Sequence, residues 1–594
     1  MIDWAIIIAY VALALAVGVW FSKRASSSTN EYFLSGRTLP WWVLGTSMAA
    51  TTFAADTPLA ITELVRTEGI WRNWFWWNVA LQGLLATFFF APLWRRAQVL
   101  TDQELIELRY SGRRAAFLRA FKALYFAVIQ ICLVMSWVIA GMSTVLSVLL
   151  DVPQTIAVTG CLAVALVYSV LSGFWGVVAT DLVQYLVAVV GATILAVIAV
   201  SHVGGMDALT EALARSETSP AHLMDFFPPL TAEGTSWLDA PFFKVAVYLT
   251  VVWWASQNVE GGGYIVQRMS AARDERHALL GTLWFNVCNF AVRSWPWITV
   301  ALVSLVLFPD LSDHPLGEKA GYPLVIDAVL GPGLRGLLVV SFLAAFMSTI
   351  DTHLNWGASY LINDVYRRFI RPAAGERHCV VVSRLCVVAL VVLAGVGSLF
   401  VGSISGLWEL VWALGCGLGP VLVLRWFWWR VSAVSEIAAL AASLGATGLI
   451  QVLAWLWPQA SLLGFALSSL PIHIKILLVA PFSILCWTVA TFLTAPEPEQ
   501  TLRSFYQRTN PGGAWGRFAE GMPKDRAVFG LWAIGNWLCG LALVYGATFA
   551  VGFAVFGRWL PCLVCAAIGA AGSGFLYTRL GRITGWTAPE DPDR

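Results

Sequence analysis

The sequence predicts an all-α protein that crosses a membrane many times, and three observations predict it. Of its 594 residues, 58% are hydrophobic and only 12% are charged, with a mean hydropathy of +0.73. A soluble domain of that size carries about twice the charge. Apolar stretches of roughly 20 residues recur along the whole chain, each long enough for a helix across about 30 Å of hydrocarbon. The Lys and Arg residues gather in alternate connecting segments, as the positive-inside rule requires of a polytopic protein.

About fifteen spans follow in order, a count set by the ~20-residue length of a crossing helix. The first, 2–22, has no basic segment before it and is followed by Lys23 and Arg24 rather than a small-residue cleavage site. It reads as a retained helix and not a signal peptide. Span 41–62 opens on Trp41 and Trp42, and span 74–94 on Trp74, Trp76 and Trp77, positions that suit an interfacial aromatic belt. Spans 120–150, 154–175 and 178–201 are almost continuously apolar. Span 241–260 ends in polar residues, 278–308 begins beyond a basic loop, and 333–363 carries a polar stripe. Spans 379–401 and 404–428 follow, the second closing on Trp426, Trp428 and Trp429. The last four are 432–456, 470–494, 527–557 and 559–580.

Basic residues cluster at Lys23, Arg24 and Arg37, and again at Arg95, Arg96, Arg109, Arg113 and Arg114. They recur at Arg268, Arg273 and Arg276, then at Arg367, Arg368, Arg371 and Arg377, then at Arg503, Arg508, Arg517, Lys524 and Arg526. The long segment 202–240 holds only Arg215. This places the N-terminus outside and, with an odd count, the C-terminus inside beside Arg579 and Arg582. The hydrophilic segments 202–240 and 495–526 are too short for a catalytic module, which argues against an enzyme. A net charge of +2 gives no reason to expect nucleic acid. Cys562 and Cys565 lie in an apolar helix with no second ligand pair, so packing is expected of them rather than a transition metal.

The most informative segment is Ala344-Ala345-Phe346-Met347-Ser348-Thr349-Ile350-Asp351-Thr352-His353-Leu354-Asn355. On a helix Ala345, Ser348, Thr349 and Thr352 share one face, with Asp351 and Asn355 beside it. Polar groups in hydrocarbon are costly unless they meet one another, water or an ion. Small oxygen-bearing side chains near a carboxylate suit a hard, singly charged cation such as sodium. The hydroxyls alone would equally suit close helix packing. A second run, Ala49-Ala50-Thr51-Thr52-Phe53-Ala54-Ala55-Asp56-Thr57-Pro58, is small, polar and ended by proline, as expected of a helix that breaks within the membrane and frees its carbonyls.

Several motifs converge on one resemblance. They are Glu-Tyr-Phe-Leu-Ser-Gly-Arg-Thr-Leu-Pro-Trp-Trp at 31–42, Ser-Gly-Phe-Trp-Gly-Val-Val-Ala-Thr-Asp-Leu-Val-Gln at 172–184 and Tyr-Ile-Val-Gln-Arg at 264–268. Asn363-Asp364-Val365-Tyr366-Arg367-Arg368-Phe369 closes the set. Together they resemble the sodium:solute symporter family, which includes sodium/galactose and sodium/proline cotransporters, over roughly residues 1–430. The resemblance implies a leucine-transporter-type core of five plus five inverted helices. On that reading residues 1–40 form an extra N-terminal helix and cytoplasmic loop. Residues 41–428 form the ten-helix transport core. Residues 429–594 form about four peripheral helices with a cytoplasmic loop at 495–526.

Carried over by position, the resemblance implies a sodium site from the carbonyls of Ala50, Phe53 and Ala345 and the hydroxyls of Ser348 and Thr349. It implies a second ion site from Asp181, Ser348, Asp351 and Thr352. Asp351 stands where the family usually has a hydroxyl, so the two carboxylates could tighten a sodium, share a proton or admit one in its place. Asp181, preceded by Thr180, could instead cap a helix. His353 is expected on the opposite face, packed or at the surface.

The solute is expected where the first and sixth core helices break. Candidates are Thr52, Asp56 and Thr57 on the first, with capping of the second half-helix the other reading of Asp56. On the sixth they are Trp253, Trp254, Gln257, Asn258 and Glu260, ahead of Gly261-Gly262-Gly263. The tryptophans could stack on the solute, gate it or simply pack, and Arg293 could reach the solute or pair with Glu260. The expectation is therefore a secondary transporter that takes up a small polar organic solute with sodium by alternating access. A sugar or polyol is slightly favoured over an amino acid or carboxylate. Its alternative is a proton-coupled carrier of the same fold using Asp351 and Asp181. No cofactor, transition metal or obligate protein partner is expected; the partners are solute, sodium and the lipid of the cytoplasmic membrane.

Overall fold

The computed structural model describes residues 1–25, 29–216, 220, 222–230, 236–402, 404–523 and 528–583. Lys524 and Arg526, and the side chains of Lys23, Arg24 and Arg582, lie outside the described residues. The chain is a bundle of helices in this order: α1 (Ile2–Ala25), α2 (Trp41–Thr52), α3 (Thr57–Glu68), α4 (Ile70–Ala97), α5 (Gly112–Leu150) and α6 (Gln154–His202). Next come α7 (Pro241–Ala255), α8 (Gly263–Ala271), α9 (Glu275–Leu307), α10 (Leu334–Ile370) and α11 (Glu376–Ser398). The order ends with α12 (Ile404–Leu414), α13 (Gly419–Phe427), α14 (Ala433–Leu456), α15 (Ile472–Leu493), α16 (Leu531–Val555) and α17 (Trp559–Ile583).

Three expectations change. Among the described residues, 10 helices are long and apolar enough to cross a membrane, 11 if the bent pair α12 and α13 is one span, against the fifteen expected. Part of the difference is that spans 41–62 and 241–260 are broken, which leaves each piece too short to count. The segments 154–175 and 178–201 belong to one helical element of 49 residues, with no proline between them. The hydrophilic segments are not simple loops: 202–240 contains a helix at Met206–Arg215, and 495–526 contains one at Glu499–Thr509.

The two breaks position everything that follows. Between α2 and α3 the backbone leaves helical geometry at Phe53 (φ −88°, ψ 91°), and Pro58 starts the next half-helix, where its missing N–H costs nothing. Between α7 and α8 the chain passes through Gly261, Gly262 and Gly263, at φ of 115°, 67° and 39°. Three successive left-handed residues are feasible only for glycine, which has no Cβ to clash.

α13 packs against the end of α7 so closely that a Cβ on Gly419 would lie 1.9 Å from the Trp254 carbonyl oxygen. The Gly419→Ala variant must push the two elements apart and is expected to lose about 1–3 kcal/mol of stability, the usual cost of overpacking. A thermal-unfolding shift of the purified protein checks this.

Candidate functional site

α10 carries the hydroxyl stripe into the first break. The Thr349 Oγ1 lies 2.9 Å from Thr51 O, 3.1 Å from Ala345 O and 3.5 Å from Phe53 O. A hydroxyl has a single proton to donate, so these three carbonyls cannot all be satisfied by it. This fits the sodium site implied by Ala345, Phe53 and Thr349. The Ala50 carbonyl accepts from the Phe53 N–H at 3.1 Å, and the Thr51 carbonyl takes the place beside Thr349.

Ser348 turns the other way, its Oγ donating to Asp181 Oδ1 at 2.5 Å. Asp181, buried on α6, also accepts from Ser47 Oγ. The second set of expected ion ligands is therefore only partly assembled. Asp181, Ser348 and Thr352 converge, but the Asp351 carboxylate accepts from Ser169 Oγ at 2.6 Å, and its Oδ2 has no hydrogen-bond partner among the described residues. The i+3 spacing from Ser348 would let Asp351 join it, yet its side chain follows the face that packs on α6.

Arg268 is the larger surprise. Its place in a basic segment suggested a cytoplasmic loop, but α8 carries it inward and its side chain is fully buried. Nε donates to Ser47 Oγ at 2.9 Å, while one terminal nitrogen reaches Thr51 Oγ1 at 3.1 Å, Thr352 Oγ1 at 2.8 Å and Asp181 Oδ2 at 3.3 Å.

Beside the first break lies a cavity of about 270 Å³. Of the expected solute residues, Thr52, Gln257 and Asn258 line it. Thr52 Oγ1 is 2.9 Å from the Tyr264 hydroxyl, and Gln257 Nε2 donates to Gln130 Oε1 at 2.8 Å. The other expected residues lie elsewhere. Thr57 serves its own turn, accepting from the Ala54 N–H at 3.3 Å. Asp56 is buried away from the cavity against Gly141 and makes no capping hydrogen bond. Trp253 packs on Trp537 at 5.4 Å between ring centres, and both Trp253 and Trp254 hydrogen-bond to carbonyls one turn back on α7. Packing is the reading the structure supports for them, because Val252, Ser256 and Gln257 take the cavity-facing positions.

Glu260 does not meet Arg293. It pairs with Arg425 on α13 and accepts from Trp426 Nε1 at 2.6 Å. Arg293 instead donates to the Ala49 carbonyl at 3.2 Å, between the rings of Trp76 and Trp297 at 5.6 and 5.4 Å. It braces the end of α2 from behind.

Sequence reasoning missed much of the cavity lining. Asn78, Asn286 and Asn289 line it, each with a buried side-chain oxygen that has no hydrogen-bond partner, and Trp76 and Trp356 each bring an unpaired indole N–H. The signal was present, since Asn286 and Asn289 are amides at i and i+3 inside an apolar span, a placement that marks function by default. His353, expected to face away, is packed yet lines the same cavity, with Nδ1 2.7 Å from the Thr349 carbonyl.

A family model described as the sodium:solute symporter family matches residues 32–444. Among curated proteins, the chain is 29% identical over 490 residues to a sodium/mannose cotransporter of Bos taurus, covering 76% of this chain and 79% of that protein. It is 26% identical over 470 residues to a sodium/glucose cotransporter of Vibrio parahaemolyticus, covering 75% and 84%. A sodium/myo-inositol cotransporter 2 of Mus musculus is 29% identical over 421 residues, covering 66% and 60%. Among solved structures, a Na⁺-coupled sialic acid symporter superposes with a TM-score of 0.68 at 20% identity, over 84% of this chain and 99% of that one. That likeness shows the fold, a leucine-transporter-type core whose two repeats open on the broken pairs α2–α3 and α7–α8.

Proposed function

The chain belongs to the sodium:solute symporter family, as a sodium-coupled carrier and not an enzyme, and on that premise we propose that its solute is an uncharged polyhydroxyl compound, a hexose-sized sugar or polyol. One observation carries the proposal. The cavity is lined by amides, hydroxyls, tryptophans and His353 among apolar residues, with no Asp, Glu, Lys or Arg among its described lining residues. Amides offer both donor and acceptor and so match hydroxyl groups in either sense. Asn78, Gln130, Gln257, Asn258, Asn286 and Asn289 supply such amides around the cavity. A carboxylate or ammonium entering this cavity would be desolvated without a countercharge, at a cost of several kcal/mol. The sodium/mannose, sodium/glucose and sodium/myo-inositol cotransporters among its relatives support the same class.

The coupling follows from shared residues. Thr52 lines the cavity while its neighbours Thr51 and Phe53 turn carbonyls toward Thr349, and His353 bridges from the cavity to the Thr349 carbonyl. An ion that orders residues 51–53 therefore also orders the solute site, giving the differential affinity that coupling requires. One charge crossing 100 mV releases about 2.3 kcal/mol. A tenfold sodium gradient adds about 1.4 kcal/mol, so one ion supports roughly 500-fold accumulation. The basic segments support insertion in the cytoplasmic membrane with the N-terminus outside and the C-terminus inside.

Uptake into proteoliposomes under an imposed sodium gradient tests the reading. Neutral hexoses and polyols are expected to accumulate; uptake confined to amino acids or carboxylates would overturn it. Asn286→Ala and Asn289→Ala should each raise the solute KM by about fivefold to tenfold, the value of a hydrogen bond of about 1 kcal/mol, and leave the half-saturating sodium concentration unchanged.

A further inference from the structure

The hydroxyls and carboxylate expected to form a second ion site are already holding a cation, and that cation is part of the chain. We propose that the guanidinium of Arg268 permanently takes the place of a second sodium, so that this carrier binds and moves one sodium per solute. The inference rests on the sodium-coupled reading above and deepens it by assigning the stoichiometry.

The geometry is specific. A sodium at Asp181 would need a shell of oxygens, and the oxygens that converge there are those of Ser47, Thr51, Thr352, Asp181 and Ser348. The first four lie within hydrogen-bond distance of Arg268, at 2.9, 3.1, 2.8 and 3.3 Å respectively, the last three sharing the two protons of one guanidinium nitrogen. The two remaining hydroxyl contacts reinforce the arrangement. Ser47 and Ser348 each donate their proton to Asp181, leaving their own oxygens free to face a positive group. Thr51 and Thr352 lie 3.0 Å apart, both turned to the same guanidinium nitrogen. The rings of Phe174 and Tyr264 lie 5.2 and 5.7 Å from the guanidinium carbon and close the site around it.

Charge balance argues the same way. Arg268 and Asp181 are both fully buried and form a neutral pair. A sodium added to that pair would leave a net positive charge without solvent, the costly situation for a buried ion. A sodium replacing the guanidinium would preserve neutrality, but Arg268, whose side chain is fully buried, would then lack a countercharge. Asp351, which could have supplied a second carboxylate, is turned away to Ser169. Arg268 thus acts as a tethered cation: it satisfies the site without dissociating, and it contributes no charge movement.

Equilibrium binding of radioactive sodium to the purified protein, with sodium alone as the probe, tests this. The wild type is expected to bind one ion per chain and Arg268→Lys also one, because an ammonium still fills the site. Arg268→Ala is expected to bind two, the vacated oxygens and Asp181 taking up an ion. A wild-type count of two overturns the inference, as does a count that does not rise in an Arg268→Ala protein with a normal thermal transition. Should Arg268→Ala not fold, the wild-type and Arg268→Lys counts still decide. A wild-type count of zero instead counts against the first sodium site, and the ion gained by Arg268→Ala then reads the inference separately.

Discussion

Replacing Thr349 with alanine is expected to raise the sodium concentration needed for half-maximal uptake by at least tenfold to a hundredfold, and Ser348→Ala/Thr349→Ala to abolish sodium-driven uptake. The Thr349 hydroxyl is the one side-chain group that three backbone carbonyls share, those of Thr51, Phe53 and Ala345. Removing it deletes one ligand outright and also the group that holds the carbonyls at a common distance. A hydrogen bond or ligand contact to a charged group is worth about 1.5–3 kcal/mol, which is the stated range in affinity. The conservative Thr349→Ser variant keeps the oxygen and should retain most of the sodium response. The comparison of sodium titrations for the three variants, at fixed solute, checks the assignment. A Thr349→Ala protein that folds and titrates like wild type would remove this residue from the ion path.

The second large effect is expected at Arg425. Arg425→Ala should destabilise the protein by about 3–5 kcal/mol, the range for breaking a buried ion pair by removing one partner. Arg425 is 1% exposed and bonds both Glu260 and Glu436, while Glu436 also pairs with Lys122 at 2.5 Å. Two carboxylates and two cations alternate through a region without solvent, so deleting one cation leaves Glu260 uncompensated. The chain of charges joins the end of the broken pair α7–α8 to α13, to α14 and to α5. Glu436 belongs to α14, outside the expected ten-helix core, so the C-terminal helices contribute a charge to the network at the end of the broken pair α7–α8. Glu260→Gln, which removes a charge but keeps shape and the Trp426 hydrogen bond, should cost less than Arg425→Ala. Thermal unfolding of the detergent-solubilised proteins reads both effects. An Arg425→Ala protein with an unchanged transition would mean that water reaches the network.

Most of the helices were legible, and so was the first break. The Thr51–Pro58 run predicted it because a proline and small residues act locally, whatever they later pack against. Thr349, Ala345 and Phe53 came together as expected, since one helical face and one broken end are both properties of short segments. The boundary expected between 175 and 178 is not seen, because hydropathy alone could not show that the helix continues through it. Asp351 meets Ser169 and not Ser348 for a related reason. Spacing places it beside Ser348, but its rotamer is chosen by Ser169, a residue 182 positions away. Asn286 and Asn289 were legible in principle as amides within an apolar span, and Asn78 lay too near a loop to stand out.

What the sequence by itself determined, then, is the membrane-spanning helical class, the breaks at 53–56 and at the three glycines, and the hydroxyl stripe of α10. These rest on hydropathy, on backbone freedom and on helical periodicity, all of which act over a few residues. The tertiary structure alone decided which charges meet. Arg268 reaches Asp181 across 87 positions and Arg425 reaches Glu260 across 165, so a residue that reads as a loop cation becomes a buried ion and a solute candidate becomes a structural countercharge. The physical reason is that a charge in hydrocarbon must find its partner wherever the fold brings one, and sequence spacing says nothing about who stands across a helix interface.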